Sequence, residues 1–197
     1  LLPAFTDSTK TAMNCVSSTV AGVEARAWVH HIPRLMILSN LALLTGTNPQ
    51  EFLNWMREQF IDASDWVMVP NVIGMATHAD GGLLMTKPYA GGGAYLNRMT
   101  EYCRSCPFDP KKRVGDDACP MTTLYWDFLD RHRERFASNH RMFQQLAGLK
   151  WFGQVVVGAD FESDDAVHRV ALGGEHQHRC LCQGAGQSAN AAADFQA

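Results

Sequence analysis

From His30 to Leu44 the chain is crowded with apolar residues, at Ile32, Leu35, Met36, Leu38, Leu41, Leu43 and Leu44. That density predicts a helix buried on more than one side. Gly46 follows as a stop signal, and Asn48-Pro49 opens the next helix. Asn48 can cap the orphan amides and Pro49 suits the first turn. The apolar stripe of that helix runs through Phe52, Leu53, Trp55, Met56 and Phe60. Upstream, Ala, Met and Val at roughly helical spacing predict a helix over 11–24; downstream, helices are expected near 94–103 and over 122–136. Residues 66–93 break this rhythm with Pro70-Asn71, Gly74, Gly81-Gly82, Pro88 and Gly91-Gly92-Gly93. They read as a long irregular segment, a feature that tends to be functional inside a compact domain. The fold class is all-α.

Past Gly153 the pattern dissolves. Residues 171–197 offer only Leu172, Leu181 and Phe195 as large apolar side chains, too few to offset the entropy of ordering. The expected organisation is a helical domain over 1–153 and an atypical, disordered tail over 154–197.

Composition narrows the class. Of 197 residues, 46% are hydrophobic and 19% charged, as in a globular domain. A net charge of −3 gives no global sign of nucleic-acid binding. The basic runs Lys111-Lys112-Arg113 and Arg131 to Arg135 read, taken alone, as solvated faces. No stretch of about eighteen apolar residues exists, so no membrane span is expected. Leu1-Leu2-Pro3-Ala4-Phe5 has neither the charged head nor the apolar core of a signal peptide. The expected setting is cytoplasmic, and the expected start is inside a longer protein.

In that setting the six cysteines favour metal ligation over disulfides. Cys103 and Cys106, two residues apart, form a chelating pair. Cys119 follows, with Pro120 behind it, and Cys15 is the fourth candidate outside the tail. Thiolates select zinc or iron–sulfur, and spacing alone leaves both open, together with plain buried thiols. His176, His178, Cys180 and Cys182 alternate in the tail and read as accidental clustering.

The run 11–145 resembles the iron–sulfur branch of the bacterial photolyase/cryptochrome family. The residues that carry the resemblance are His30-His31-Ile32-Pro33-Arg34-Leu35-Met36, Trp66-Val67, Pro70-Asn71-Val72-Ile73-Gly74-Met75 and Ala79-Asp80-Gly81-Gly82. Thr86-Lys87-Pro88-Tyr89, Tyr95-Leu96-Asn97-Arg98-Met99, Asp117-Ala118-Cys119-Pro120 and Leu124-Tyr125-Trp126-Asp127-Phe128 complete them. The resemblance implies the C-terminal helical domain of that fold, here incomplete, with FAD and a [4Fe–4S] cluster on Cys15, Cys103, Cys106 and Cys119. It implies light-dependent repair of ultraviolet-damaged DNA, of the (6-4) class, by a monomeric lyase. The antenna chromophore belongs to an N-terminal α/β domain outside this sequence.

By the same resemblance His30 and His31 are the catalytic pair, one facing the lesion as proton donor and the other meeting flavin. Asn71, Trp55, Met75 and His31 fall at cofactor positions, and Tyr89, Tyr95, Lys87 and Arg98 at the lesion and phosphate side. Without it, His30 and His31 would be surface or cap residues, Asn71 a turn residue, and Trp55 core. Met56 and Met68 depart from the family pattern, which has another aromatic and an acidic residue there. Two other functions remain at this point: a blue-light receptor without repair, and a DNA-binding module stapled by a metal.

Overall fold

The computed structural model describes residues 1–136. The boundary expected near Gly153, the tail and its His/Cys cluster lie outside the described residues. The described part is helical, and its isolated bridge between Asp109 and Ala118 belongs to no strand.

Helix α1 is a single turn, Pro3–Thr6, that buries Ala4 and Phe5. Helix α2, Asn14–Arg26, starts three residues later than the spacing predicts and ends where Ala27 turns left-handed at φ 51°. Helix α3 is an α-turn His31–Pro33, a π-helical stretch Arg34–Ser39 and an α-helical stretch Asn40–Leu44. Every residue of that last stretch is buried, as its apolar run predicts. Helix α4, Pro49–Gln59, starts as expected: Asn48 Oδ1 accepts from the Gln50 and Glu51 amides at 2.9 and 3.2 Å.

The irregular segment expected over 66–93 is irregular only in its second half. Helix α5 runs as Asp65–Val69 and continues as the π-helical stretch Pro70–Ala76. Proline has no N–H and its ring crowds the carbonyl four residues back, so an α-turn there is strained. The wider π-turn relieves that conflict, and Thr77 closes it by donating its N–H to the Val72 carbonyl at 2.9 Å. Gly74 sits in this stretch because the following loop lies on it. A Cβ there would come within 2.7 Å of the Leu84 side chain. Asp80 folds that loop, its two carboxylate oxygens accepting from the Gly82 and Leu84 amides.

Helix α6, Gly93–Met99, stops short of Cys103, which lies in a separate 3-10 turn, Tyr102–Ser105. Helix α7, Pro120–Arg131, starts with its proline at the first position, and His132 breaks it from α8, Arg133–Phe136. The core is shared by all these elements. Phe5, Phe52, Trp55 and Phe60 form an aromatic cluster with ring centroids 5.4 to 5.9 Å apart. Leu38, Leu41 and Leu44 of α3 and Leu124 and Leu129 of α7 are fully buried beside it. Arg131 donates to the Leu44 carbonyl at 2.6 Å, placing a cation at the C-terminus of α3 where the helix dipole favours one.

Candidate thiol centre and candidate cofactor face

The four cysteines come from three elements. Cys15 is in the first turn of α2, Cys103 in the 3-10 turn, Cys106 just after it, and Cys119 immediately before α7. Cys15 and Cys119 are buried, Cys103 and Cys106 half-buried, and all four are free thiols. Burial pushes the Cys15 thiol far up, and the neighbouring Cys119, Cys106 and Cys103 push it further. Cys103 is raised to about 11 by burial, then by Cys119 and Cys106. Cys119 is raised by burial against amide hydrogen bonds that lower it. Four thiolates in so small a region need a cation to be tolerated. Among the described residues no three His, Cys, Asp or Glu side chains close tightly enough around one point to hold a single metal ion. The four thiols are neighbours at electrostatic range.

Hydrogen bonds hold this arrangement in register. The Cys119 amide donates to the Asp109 carbonyl, and the Cys106 amide to the Cys103 carbonyl. Gly93 opens α6 in a space with no room for a side chain. A Cβ there would lie 2.6 Å from Thr122 Oγ1 and 2.8 Å from Cys119 Sγ. The Gly93 amide instead donates to Thr122 Oγ1 at 3.0 Å, and that hydroxyl donates to the Pro110 carbonyl.

The second group of predicted residues lies along the entrance of α3 and on α5. His30 caps α3: its Nδ1 accepts from the Ile32 amide at 3.2 Å, and its ring meets Trp28 edge-on. Accepting at Nδ1 leaves the proton of the neutral ring on Nε2. His31 is exposed at the first helical position. Arg34 fixes this entrance by donating to the Val29 carbonyl and, through two nitrogens, to both oxygens of Asp62. The Arg34 hydrogen bonds hold the Asp62 carboxyl below its ordinary range against the opposing effect of desolvation.

Asn71 and Met75 are half-buried on the π-stretch of α5, and the π-stretches of α3 and α5 touch. The Asn71 amide makes no hydrogen bond among the described residues. Trp55 is buried in the aromatic cluster. Lys87 and Tyr89 are exposed, as is Arg98, which covers the half-buried Tyr95 ring at 5.7 Å. The structure thus gathers the four cysteines. His30 and His31 share no hydrogen bond or ring contact with Asn71, Tyr89 or Tyr95 among the described residues.

Two amides that the sequence reading passed over link these groups. Buried Asn40 of α3 pairs with the Gly91 peptide, donating to its carbonyl at 2.7 Å and accepting from its amide at 3.0 Å. It ties the Tyr89 loop to the core. An amide inside an otherwise apolar run was the available signal, because a buried polar group needs a partner. Asn14, beside Cys15, reaches the Cys103 turn.

No protein-family model matches the chain. Over 146 residues, 74% of its length, it is 52% identical to a (6-4) photolyase of Agrobacterium fabrum. The chain spans 29% of that protein's length. It is also 30% identical over 108 residues, 55% of its length, to Uncharacterized protein R855 of Acanthamoeba polyphaga mimivirus, covering 80% of that protein. The chain belongs to the bacterial photolyase/cryptochrome family.

Proposed function

We propose that this chain supplies the cofactor- and lesion-facing helices of a light-dependent DNA photolyase of the (6-4) class, acting on ultraviolet-damaged DNA. The observation that carries the reading is the 52% identity to a (6-4) photolyase, on a chain that keeps a histidine pair at a helix entrance. Cys15, Cys103, Cys106 and Cys119 would hold an iron–sulfur cluster. The donor set fits: four free thiols from three elements, with Cys119, Cys106 and Cys103 all close enough to raise the Cys15 thiol. The cluster is preferred to zinc on the relationship to the (6-4) photolyase, since soft thiolates would hold either. The cluster's part here is to staple α2, the 3-10 turn and α7.

His31, Asn71, Trp55 and Met75 would border FAD, and the unspent amide of Asn71 fits such a neighbour. Bound flavin would supply the light absorption and redox chemistry that no side chain offers. The chain's own contribution is placement and hydrogen bonding. His30 presents an Nε2–H while its Nδ1 is held by the cap, so it can donate a hydrogen bond to a leaving oxygen. Tyr89 offers an exposed ring on which a flipped base can stack, and Lys87 and Arg98 offer cations to phosphates.

A chimera tests this reading. The matched segment of the Agrobacterium fabrum photolyase is replaced by that of this chain, and (6-4) lesions are scored under blue light. Repair is expected, with loss of repair but not of flavin in the His30→Ala and His31→Ala forms. A chimera that binds flavin, bleaches it reversibly in light and repairs nothing would overturn the repair reading.

A further inference from the structure

The thiol centre is crossed by a hydrogen-bonded set in which no cysteine takes part. The two hydrogens of Asn14 Nδ2 go to the Tyr102 carbonyl at 2.8 Å and to Ser105 Oγ at 2.9 Å. On the other side Ser18 Oγ donates to Asn14 Oδ1 at 3.1 Å, which fixes the edge of the amide that faces the turn. Each of the three residues joined at Nδ2 immediately precedes a cysteine: Asn14 before Cys15, Tyr102 before Cys103, Ser105 before Cys106. One amide therefore ties together the backbone positions from which three of the four thiols are launched, across 88 and 91 residues of chain. Met13, at the N-cap position of α2, provides no side-chain cap.

We propose that Asn14 is a positioning residue for the thiol centre, setting Cys15 against Cys103 and Cys106 so that an iron–sulfur cluster is retained. The inference rests on the cluster reading above. Without the amide, Cys15 would be held to the turn by packing and by the cluster itself, so opening of that edge would expose iron to chelators. Asn14→Asp keeps the shape, loses both donors and turns an acceptor toward the Tyr102 carbonyl. Ser105→Ala removes one bond at an exposed position and leaves the fold intact.

The full chain is charged anaerobically with ferrous iron and sulfide. Iron and sulfide per chain, bleaching of the cluster absorbance under EDTA, and the EPR spectrum after reduction are then compared. Asn14→Ala and Asn14→Asp are expected to bleach about tenfold faster or more, and Ser105→Ala about threefold to fivefold faster, as one hydrogen bond is worth. In Asn14→Asp the EPR signature is expected to shift while far-UV circular dichroism stays unchanged. Asn54→Asp, an exposed amide on α4, should match the parent chain. Parental bleaching rates and spectra in the Asn14 variants and Ser105→Ala would overturn the inference while leaving the cluster reading standing. A parent chain that takes up no iron and sulfide would overturn both.

Discussion

The thiol centre and the histidine face differ in how much of their geometry this chain provides for itself. Around the thiols, Gly93, Thr122, Asn14 and the Asp109 carbonyl hold three elements in register, and Cys15 and Cys119 are buried. His30 and His31 are both exposed, and on the α5 side Trp66 is 82% exposed and Leu83, in the loop after it, 91%. A site that holds its own ligands together needs its geometry built in before anything binds. A face that works against a large cofactor and a flipped base needs room, and its side chains complete their contacts only when those arrive.

Two tryptophans give the sharpest form of this contrast. Trp55→Ala on the buried side empties the aromatic cluster and is expected to destabilise by about 3–5 kcal/mol. Trp66→Ala on the open face should stay within about 0.5 kcal/mol, both read from urea denaturation. Equal losses would erase the distinction between the two regions. Next in size is Gly93→Ala, whose methyl would press on Thr122 and Cys119. It is expected to cost about 1–3 kcal/mol and to lower iron uptake together with stability. Asn40→Ala strands the Gly91 peptide and should cost about 1–3 kcal/mol, with faster amide exchange in the 89–93 loop as its local signature. Asn48→Ala removes the α4 cap, far from both regions, for about 1 kcal/mol with iron uptake unchanged.

The smallest expected effect is a pH dependence where the 77–88 loop meets α7. His78 and His132 line a cavity of about 60 Å³ with Leu43, Pro88 and Phe128. Burial, and then nearby arginines, hold both imidazoles below the ordinary histidine value of 6.5. The folded chain thus resists protons that the unfolded chain accepts. Stability is full above pH 6.5 and falls as pH drops toward the folded values. Replacing both residues, His78→Asn and His132→Phe, should flatten that slope in thermal melts between about pH 5.5 and 7.5 (roughly one unit either side of a free imidazole).

Much of the scaffold was legible because it follows local rules. The buried run of α3, the Asn48-Pro49 start of α4 and the Cys103-x-x-Cys106 pair were readable from spacing and capping chemistry. Helix α5 was hidden because Pro70 and Gly74 signal a loop, and the π-turn that accommodates them has no simple periodicity. A second proline misled in the other direction at α7, where Pro120 starts the helix two residues before the predicted first turn. The partners of Asn40, Asn14 and Gly93 were out of reach because they lie 29 to 91 residues away. Spacing singled out the Cys103/Cys106 pair and offered Cys119 and Cys15 as further candidates; the fold brings all four thiols within electrostatic range.

The measurement closest to the central claim is metal analysis of the full chain purified without air, with Mössbauer spectroscopy on iron-57. The account predicts about four irons and four sulfides per chain in one cubane-type signal, falling steeply in Cys15→Ser and in Cys119→Ser alike. One tightly held zinc per chain, or iron content indifferent to Cys15, would contradict it.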